Sequence, residues 1–168
     1  MSGILNSVES TSGVIGPQPY IHQTLDDTTI TTGSTGIKLN IPSLSAEPTC
    51  VMKGGFTIDT TNDYITIPQS GTYAVSFSIF IYEQGQNRNG SIFMNTTTAG
   101  STPVFGTASF IFAAFVNSGN LTEYICITSS GVTEFTAGQR VMIWGHAQYE
   151  RQVMQSGVRS YISMHKIN

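Results

Sequence analysis

The stretch ITIPQSGTYAVSFSIFIYE, residues 65–83, decides the fold class of this chain. Apolar side chains recur at every second position from Tyr73 to Ile81, whereas a helix would spread them around its axis. The stretch therefore predicts a long β-strand that begins after a proline and a turn. The alternate face of this strand starts with small residues and becomes aromatic at Phe80 and Tyr82. We expect that end of the strand to be covered on both sides.

The rest of the chain predicts further strands and no helix. From Gly36 onward, short apolar runs alternate with turn residues, among them Asn89-Gly90, which predicts a tight turn. No segment of helical length has apolar residues at positions i, i+3, i+4 and i+7. We therefore predict an all-β, antiparallel jelly-roll sandwich over residues 36–168. Residues 1–35 have only scattered apolar residues and predict an extended N-terminal arm, which would serve as a docking or attachment segment.

The composition excludes several classes of protein. Charged residues make up 10% of the 168 residues, against a usual value of about 25%, and Ser, Thr, Gly and Asn take their place. The net charge of −3, with seven dispersed Lys and Arg residues, argues against nucleic-acid binding. No apolar stretch reaches the length of about 20 residues that a membrane helix needs, so we expect no membrane insertion. The first residues do not resemble a secretory signal.

The two cysteines, Cys50 and Cys126, leave two arrangements open. They could form one disulfide, but the sequence does not say whether they meet. Two buried free thiols are the favoured interpretation, because disulfides are rare in proteins made without a secretory signal.

The chain offers few residues for chemistry. The three histidines, His22, His146 and His165, are too far apart in sequence for a metal motif. Asp59 and Asp63 are candidate Ca²⁺ ligands, but no dense oxygen-ligand loop surrounds them and solvated loop acids are the favoured interpretation. No nucleophile elbow, P-loop or dinucleotide motif occurs. We therefore predict a protein that is not an enzyme and that has no catalytic residue, no cofactor and no metal.

Three stretches of this chain resemble the C1q and tumour-necrosis-factor family of trimeric jelly rolls. Residues 64–73, YITIPQSGTY, are similar to the family's motif before a central strand. Residues 135–143, FTAGQRVMI, are similar to its L-x-x-G-D-x-V-x-L signature, with Gln139 in place of the usual Asp. Residues 160–164, SYISM, resemble its closing strand, with Met164 near the usual Gly. The resemblance runs from about residue 37 to the C-terminus and suggests a diverged relative.

The resemblance implies a homotrimer with aromatic and apolar side chains along its threefold axis. The strands predicted over 73–82 and 107–116 are the candidates for that lining. The alternative is that both strands lie inside the sandwich of one monomer. The predicted interface residues are Tyr73, Phe77, Phe80, Tyr82, Phe110, Phe112 and Phe115.

The leading functional hypothesis is a structural protein of a virus or phage particle. It would be a spike, head fibre or capsid decoration (cement) protein at the virion surface, assembled in the host cytoplasm, with its arm bound to the capsid or another particle protein. The alternative is a bacterial surface or spore-coat adhesin, C1q-like, that binds glycans. A host glycan or receptor would bind polar loops, although solvated turns explain the same residues. The candidate loop residues are Tyr82, Gln84, Gln86, Arg88 and Asn89.

Overall fold

The computed structural model describes residues 18–26, 28–30, 36–42, 50–83, 88–97, 109–118, 124–147, 152–154 and 160–168. All regular secondary structure within these ranges is β-strand, and no helix that could span a membrane occurs there. The strands are β1 (Tyr20–Thr24), β2 (Thr28–Ile30), β3 (Ile37–Lys38), β4 (Val51–Lys53), β5 (Thr57–Asp59), β6 (Tyr64–Thr66), β7 (Gly71–Glu83), β8 (Arg88–Thr97), β9 (Ser109–Ser118), β10 (Tyr124–Phe135), β11 (Arg140–Ala147), β12 (Gln152–Met154) and β13 (Tyr161–Lys166).

The strands form two antiparallel sheets. In the first sheet, β7 is central: β10 pairs with one of its edges, and β13 and β12 pair with successive parts of the other. Beyond β13 the sheet continues through β1 to β4, and beyond β12 it continues to β2. The second sheet has the order β5-β6-β11-β8-β9, with β3 also paired to β11. Strands close in space are distant in sequence, as in a jelly roll.

The core lies between the two sheets. On β7 the alternate residues from Tyr73 to Ile81 are all buried, and they face apolar residues of the second sheet such as Ile92 and Val141. This arrangement follows from the two-residue repeat, because successive side chains of a strand point to opposite faces of the sheet. The sequence prediction of a long strand over this region is confirmed.

The structure shows why the motif before β7 contains a glycine and a tyrosine. Gly71 has a φ of 147°, and a side chain there would overlap the carbonyl oxygen of Asn168. The Tyr73 hydroxyl donates a 2.8 Å hydrogen bond to the carbonyl oxygen of Gln69. Only glycine combines this backbone conformation with so close an approach, and the tyrosine fixes the turn that leads into the strand.

The second motif forms the turn between β10 and β11. The amide oxygen of Gln139 accepts a 2.7 Å hydrogen bond from the backbone N–H of Thr136. The backbone of Ile67 bonds to both Gly138 and Gln139, which ties the turn to the segment after β6. Gln139 therefore closes the turn at the position where the family motif has Asp.

The predicted domain boundary at residue 35 is too late. Strands β1 and β2 belong to the sandwich, because β1 pairs with both β13 and β4, β2 pairs with β12, and Ile21 and Ile30 are buried in the core. Ile30 packs against Gly145 of β11, where its Cγ1 would lie 2.8 Å from an added Cβ. The scattered apolar residues of this region predict an arm. In the structure these few residues lie on strands that pair with segments far along the chain, which explains why the prediction is wrong. Residues 1–17 lie outside the described residues.

The predicted tight turn at Asn89-Gly90 is also wrong. Both residues lie within β8, where Asn89 pairs with Asn117 of β9 and Gly90 pairs with Ala147 of β11. Their turn propensity is overridden by pairing on both edges of the strand.

Candidate functional site

The face of the first sheet that points away from the core is the candidate functional site. We call it the open face. It is formed by alternate residues of four adjacent strands, β1, β13, β7 and β10, and on β7 the intervening residues from Tyr73 to Ile81 are in the core. The members are Tyr20, His22, Ala74, Ser76, Ser78, Phe80, Cys126, Thr128, Ser130, Val132, Tyr161, Ser163 and His165.

Strand register arranges these residues in rows across the sheet. One row runs Tyr20, His165, Ala74, Val132, and the next runs His22, Ser163, Ser76, Ser130. Directly opposed residues on one face have Cβ atoms about 5 Å apart, so each row is a line of neighbouring side chains. The small residues therefore stand side by side at the middle of the face.

A shallow groove follows from these small side chains. It has a volume of about 420 Å³ and lies over β7, between β13 and β10. Its lining includes Ala74, Ser76, Ser130, Val132, Ser163 and His165. A surface with such a depression can receive a protruding side chain from another molecule.

Aromatic rings and histidines occupy one side of the groove. The Tyr20 and His165 rings are edge-to-face with centroids 6.1 Å apart. The His22 and Tyr161 rings lie 4.8 Å apart, and the His22 Nδ1 is 2.6 Å from the Ser163 hydroxyl oxygen. Paired rings with a hydrogen-bonding edge resemble the residues that are enriched at protein interfaces.

None of the members named above is a lysine, arginine, aspartate or glutamate. Two charged side chains lie at the margins of the face: Lys53 of β4 pairs with Tyr20, and Glu134, two residues after Val132 on β10, lies on the same side of the sheet opposite Thr72. Val132 is 61% exposed within the face. Depletion of charge over a broad exposed area is typical of a surface that another protein covers.

Strand β10 adds an open edge to this surface. It pairs with β7 along all twelve residues, and among the described strands nothing pairs with its other edge. It contains no lysine or proline and only one acid, Glu134. Long edge strands without such residues are templates for pairing or docking. The edge of β10 and the open face meet along one side of the sandwich, where β10 also contacts β9.

Two of the predicted interface residues lie in the core instead. Tyr73 and Phe77 are 0% and 1% exposed within one chain. The Tyr73 ring packs edge-on against Phe56 and Phe135, and burial raises the pKa of its hydroxyl. These two residues have no surface left for another subunit, so the alternative interpretation, a place inside the monomer, is correct for them.

For the other five predicted interface residues, a role at an interface stays a prediction. Phe80 is half-buried on the open face, opposite Cys126. Tyr82 lies two residues further on the same strand, paired with Tyr124. The remaining three, Phe110, Phe112 and Phe115, lie on β9 of the second sheet, the strand that contacts β10.

The predicted ligand loop is only partly within the described residues. Gln84 and Gln86 lie outside them. Arg88 and Asn89 are not in a loop, because β8 begins at Arg88 and pairs with Ser118 and Asn117. A ligand role for this region stays a prediction.

The acidic loop serves the local fold. One Asp59 oxygen accepts hydrogen bonds from the N–H groups of Thr61 and Asn62, both at 2.9 Å. The Asn62 side chain and the hydroxyl of Tyr64 also bond to this carboxylate, and these bonds lower the pKa of Asp59 to about 2. Asp63 accepts a bond from the Ile41 N–H and lies 3.9 Å from the Lys38 ammonium group. These contacts hold both acids to neighbouring backbone and side-chain groups of the same loop region and of residues 38–41.

The two cysteines are not bridged. Cys126 lies in a strand interior as the sequence indicates, but it is exposed on the open face, with its sulfur 3.1 Å from the Ser78 hydroxyl oxygen. Cys50 is half-buried, and burial raises the pKa of its thiol. The expectation of free thiols is confirmed, while the expectation that both are buried is wrong.

Sequence reasoning missed the part of the open face on β1 and β13. His22 was assigned to an arm, and the closing strand was used only as a family motif. The alternation of Tyr161, Ser163 and His165 was the available signal, since it marks one face of β13. No local signal in the sequence brings His22 to that face.

Comparison with known proteins agrees with this architecture. No family model and no curated protein matches the chain. Among solved structures, Eiger TNF from S. frugiperda superimposes with a TM-score of 0.64 at 16% sequence identity, covering 90% of this chain and 94% of that one. This chain has a TNF-like jelly-roll fold. At this identity the similarity establishes the fold alone, and the fold predicted from sequence is confirmed.

Proposed function

We propose that this chain is a non-enzymatic structural protein that assembles as a homotrimer through the open face. The observation that carries the proposal is the juxtaposition of a broad face of small and aromatic side chains, with charge at its margins, and the unpaired edge of β10. Each is a surface that soluble proteins usually cover, and no described strand pairs with that edge. We take the molecule that covers these surfaces to be a second copy of the chain, because it carries a complementary surface and is present at the same concentration.

The geometry favours a ring over a twofold dimer. The edge of β10 in one copy and the groove over Ala74 and Ser76 in the next are different surfaces, so their contact is heterologous. Heterologous contacts close into rings when the rotation allows. Two observations support three copies. The fold is TNF-like, and the sequence motifs resemble those of a family of trimeric jelly rolls.

We further propose that the trimer is displayed on a virus or phage particle, as a spike, head fibre or decoration protein. The support is compositional: 10% charged residues with abundant Ser, Thr, Gly and Asn on a sheet-rich domain. Residues 1–17, which precede the sandwich, are the segment proposed to bind the capsid. They replace the longer arm predicted over residues 1–35, because strands β1 and β2 are part of the fold.

The solution mass of the purified chain tests the trimer. We expect light scattering to give three times the 18.1 kDa of one chain, with and without residues 1–17. A truncation after residue 35 is unsuitable because it removes β1 and β2. A monomeric full-length chain would contradict the proposal.

The particle location needs a separate measurement. Antibodies against residues 18–168 should label particles banded in a density gradient from lysates of the source. Removing residues 1–17 should abolish the label while leaving the mass of the trimer unchanged. A label confined to cell or spore surfaces would instead support the adhesin hypothesis.

A further inference from the structure

We propose that His22 and His165 make this self-association dependent on pH, so that the trimer dissociates as the pH falls from about 8 to about 5. The inference rests on the proposed function, because it takes the open face as the contact between copies. It names a regulation of that surface which the fold alone does not imply.

The two histidines are the groups of the open face that can gain charge in this range. The other members with ionisable side chains are Tyr20, Tyr161 and Cys126, which do not become positively charged. Histidine as a residue type changes charge between pH 5 and 8. Protonation would therefore place two positive charges on a face whose one acid, Glu134, lies at its margin on β10.

Among the described residues, the direct register neighbours of the two histidines are uncharged. His22 has Val51 on β4 and Ser163 on β13 as its register neighbours, with the Tyr161 ring beside it. His165 lies between Tyr20 on β1 and Ala74 on β7.

The described strands around the two histidines carry few charged side chains, and these are distant from the rings or point elsewhere. Lys53 lies beyond Tyr20 and has the same sign as a protonated histidine, and Lys166, which follows His165, directs its ammonium group to Gln69. Glu134 is two strands from β13, on β10 opposite Thr72. No carboxylate in the described part of the chain stands next to either ring in the register.

Covering the open face makes the charged form costly. A buried charge without a partner is destabilising. In the separated chain His165 is exposed and His22 is half-buried against Tyr161, so covering the face would take further water from both rings and disfavour their charged form. Linkage then weakens assembly as pH falls, by about tenfold per pH unit for each proton that only the separated chains bind.

The test is light scattering of the full chain at one concentration between pH 8 and pH 5, with far-ultraviolet circular dichroism on the same samples. The variants are His22→Gln, His165→Gln and both together, since glutamine is polar but does not gain a proton. His165→Gln is the safest single change, because this side chain is exposed. His146→Gln is the matched control, since His146 lies on β11 of the second sheet.

We expect the unmodified chain and His146→Gln to be trimers at pH 8 and to lose trimer towards pH 5. Each single variant should move the transition to lower pH, and the double variant should remain trimeric. A monomer at pH 8 would contradict the proposed function itself. A trimer that persists or tightens at pH 5, or a double variant that dissociates like the unmodified chain, would overturn only the role of the histidines.

Discussion

The two faces of β7 differ in what they carry and in what covers them. The inner face presents large apolar side chains, from Tyr73 to Ile81, which the second sheet buries completely. The open face of the same strand presents Ala74, Ser76 and Ser78, and ends at Phe80. The comparison shows that bulk and apolar area determine which face folds inward. What distinguishes the other face of β7 is the small size of its side chains, which leaves the shallow groove that we propose another copy occupies.

The largest expected effect comes from truncating the inner face. Phe77→Ala should lower the free energy of unfolding by about 3–5 kcal/mol, because it removes a buried ring and leaves a cavity. Urea denaturation followed by circular dichroism measures this loss. Ser76→Ala, the next residue on the open face, is the matched control and should change stability by less than about 0.5 kcal/mol. Similar losses for the two variants would mean that the faces are not distinct.

A charge on the open face should separate assembly from folding. Ser76→Arg places an unpaired charge in the middle of the proposed contact, which should weaken self-association on the order of 100-fold. The circular dichroism spectrum should be unchanged, because the side chain points away from the core. Thr57→Arg, on the exposed strand β5 of the second sheet, is the control that should leave the mass unaltered. A Ser76→Arg trimer would refute the interface.

The tight contact between Ile30 of β2 and Gly145 of β11 gives a further test of packing in the core. Gly145→Ala should destabilise the fold by about 1–3 kcal/mol, because the added methyl group would overlap Ile30. Ile30→Val removes the nearest methyl group, so combining the two substitutions should recover part of the loss in a double-mutant cycle of urea denaturation. Additive losses would show that Ile30 does not pack on Gly145.

The smallest effect belongs to a loop outside both faces. Asp59 has a pKa of about 2 in the folded chain, below its ordinary value of 3.8, because the carboxylate accepts several hydrogen bonds, first of all from the Asn62 side chain. Its contribution to stability is therefore present above pH 3.8 and is lost as the pH falls towards 2. Asp59→Asn should be slightly less stable than the unmodified chain at neutral pH, and the difference should shrink towards pH 2. A difference that is constant with pH would exclude this cause.

The sequence predicted some parts of the molecule well because they depend on local pattern. The period of two over β7 defined a strand and its two faces, and three ordered motifs predicted the jelly roll. The sites were predicted less well. Tyr73 and Phe77 were assigned to a subunit interface because an aromatic strand resembles both a core and a contact surface, and only burial within the chain distinguishes them.

By itself, then, the sequence determined the all-β class, the alternation that gives each strand an inner and an outer side, and the turns at Gly71 and Gly138. Tertiary structure alone decided that β1 and β2 complete the first sheet and that His22 meets Ser163, 141 positions away. The physical reason is that strand pairing uses backbone hydrogen bonds, which are the same for every residue type. Local sequence specifies a strand and its faces, while partner and register follow from which apolar faces the whole chain can bury together.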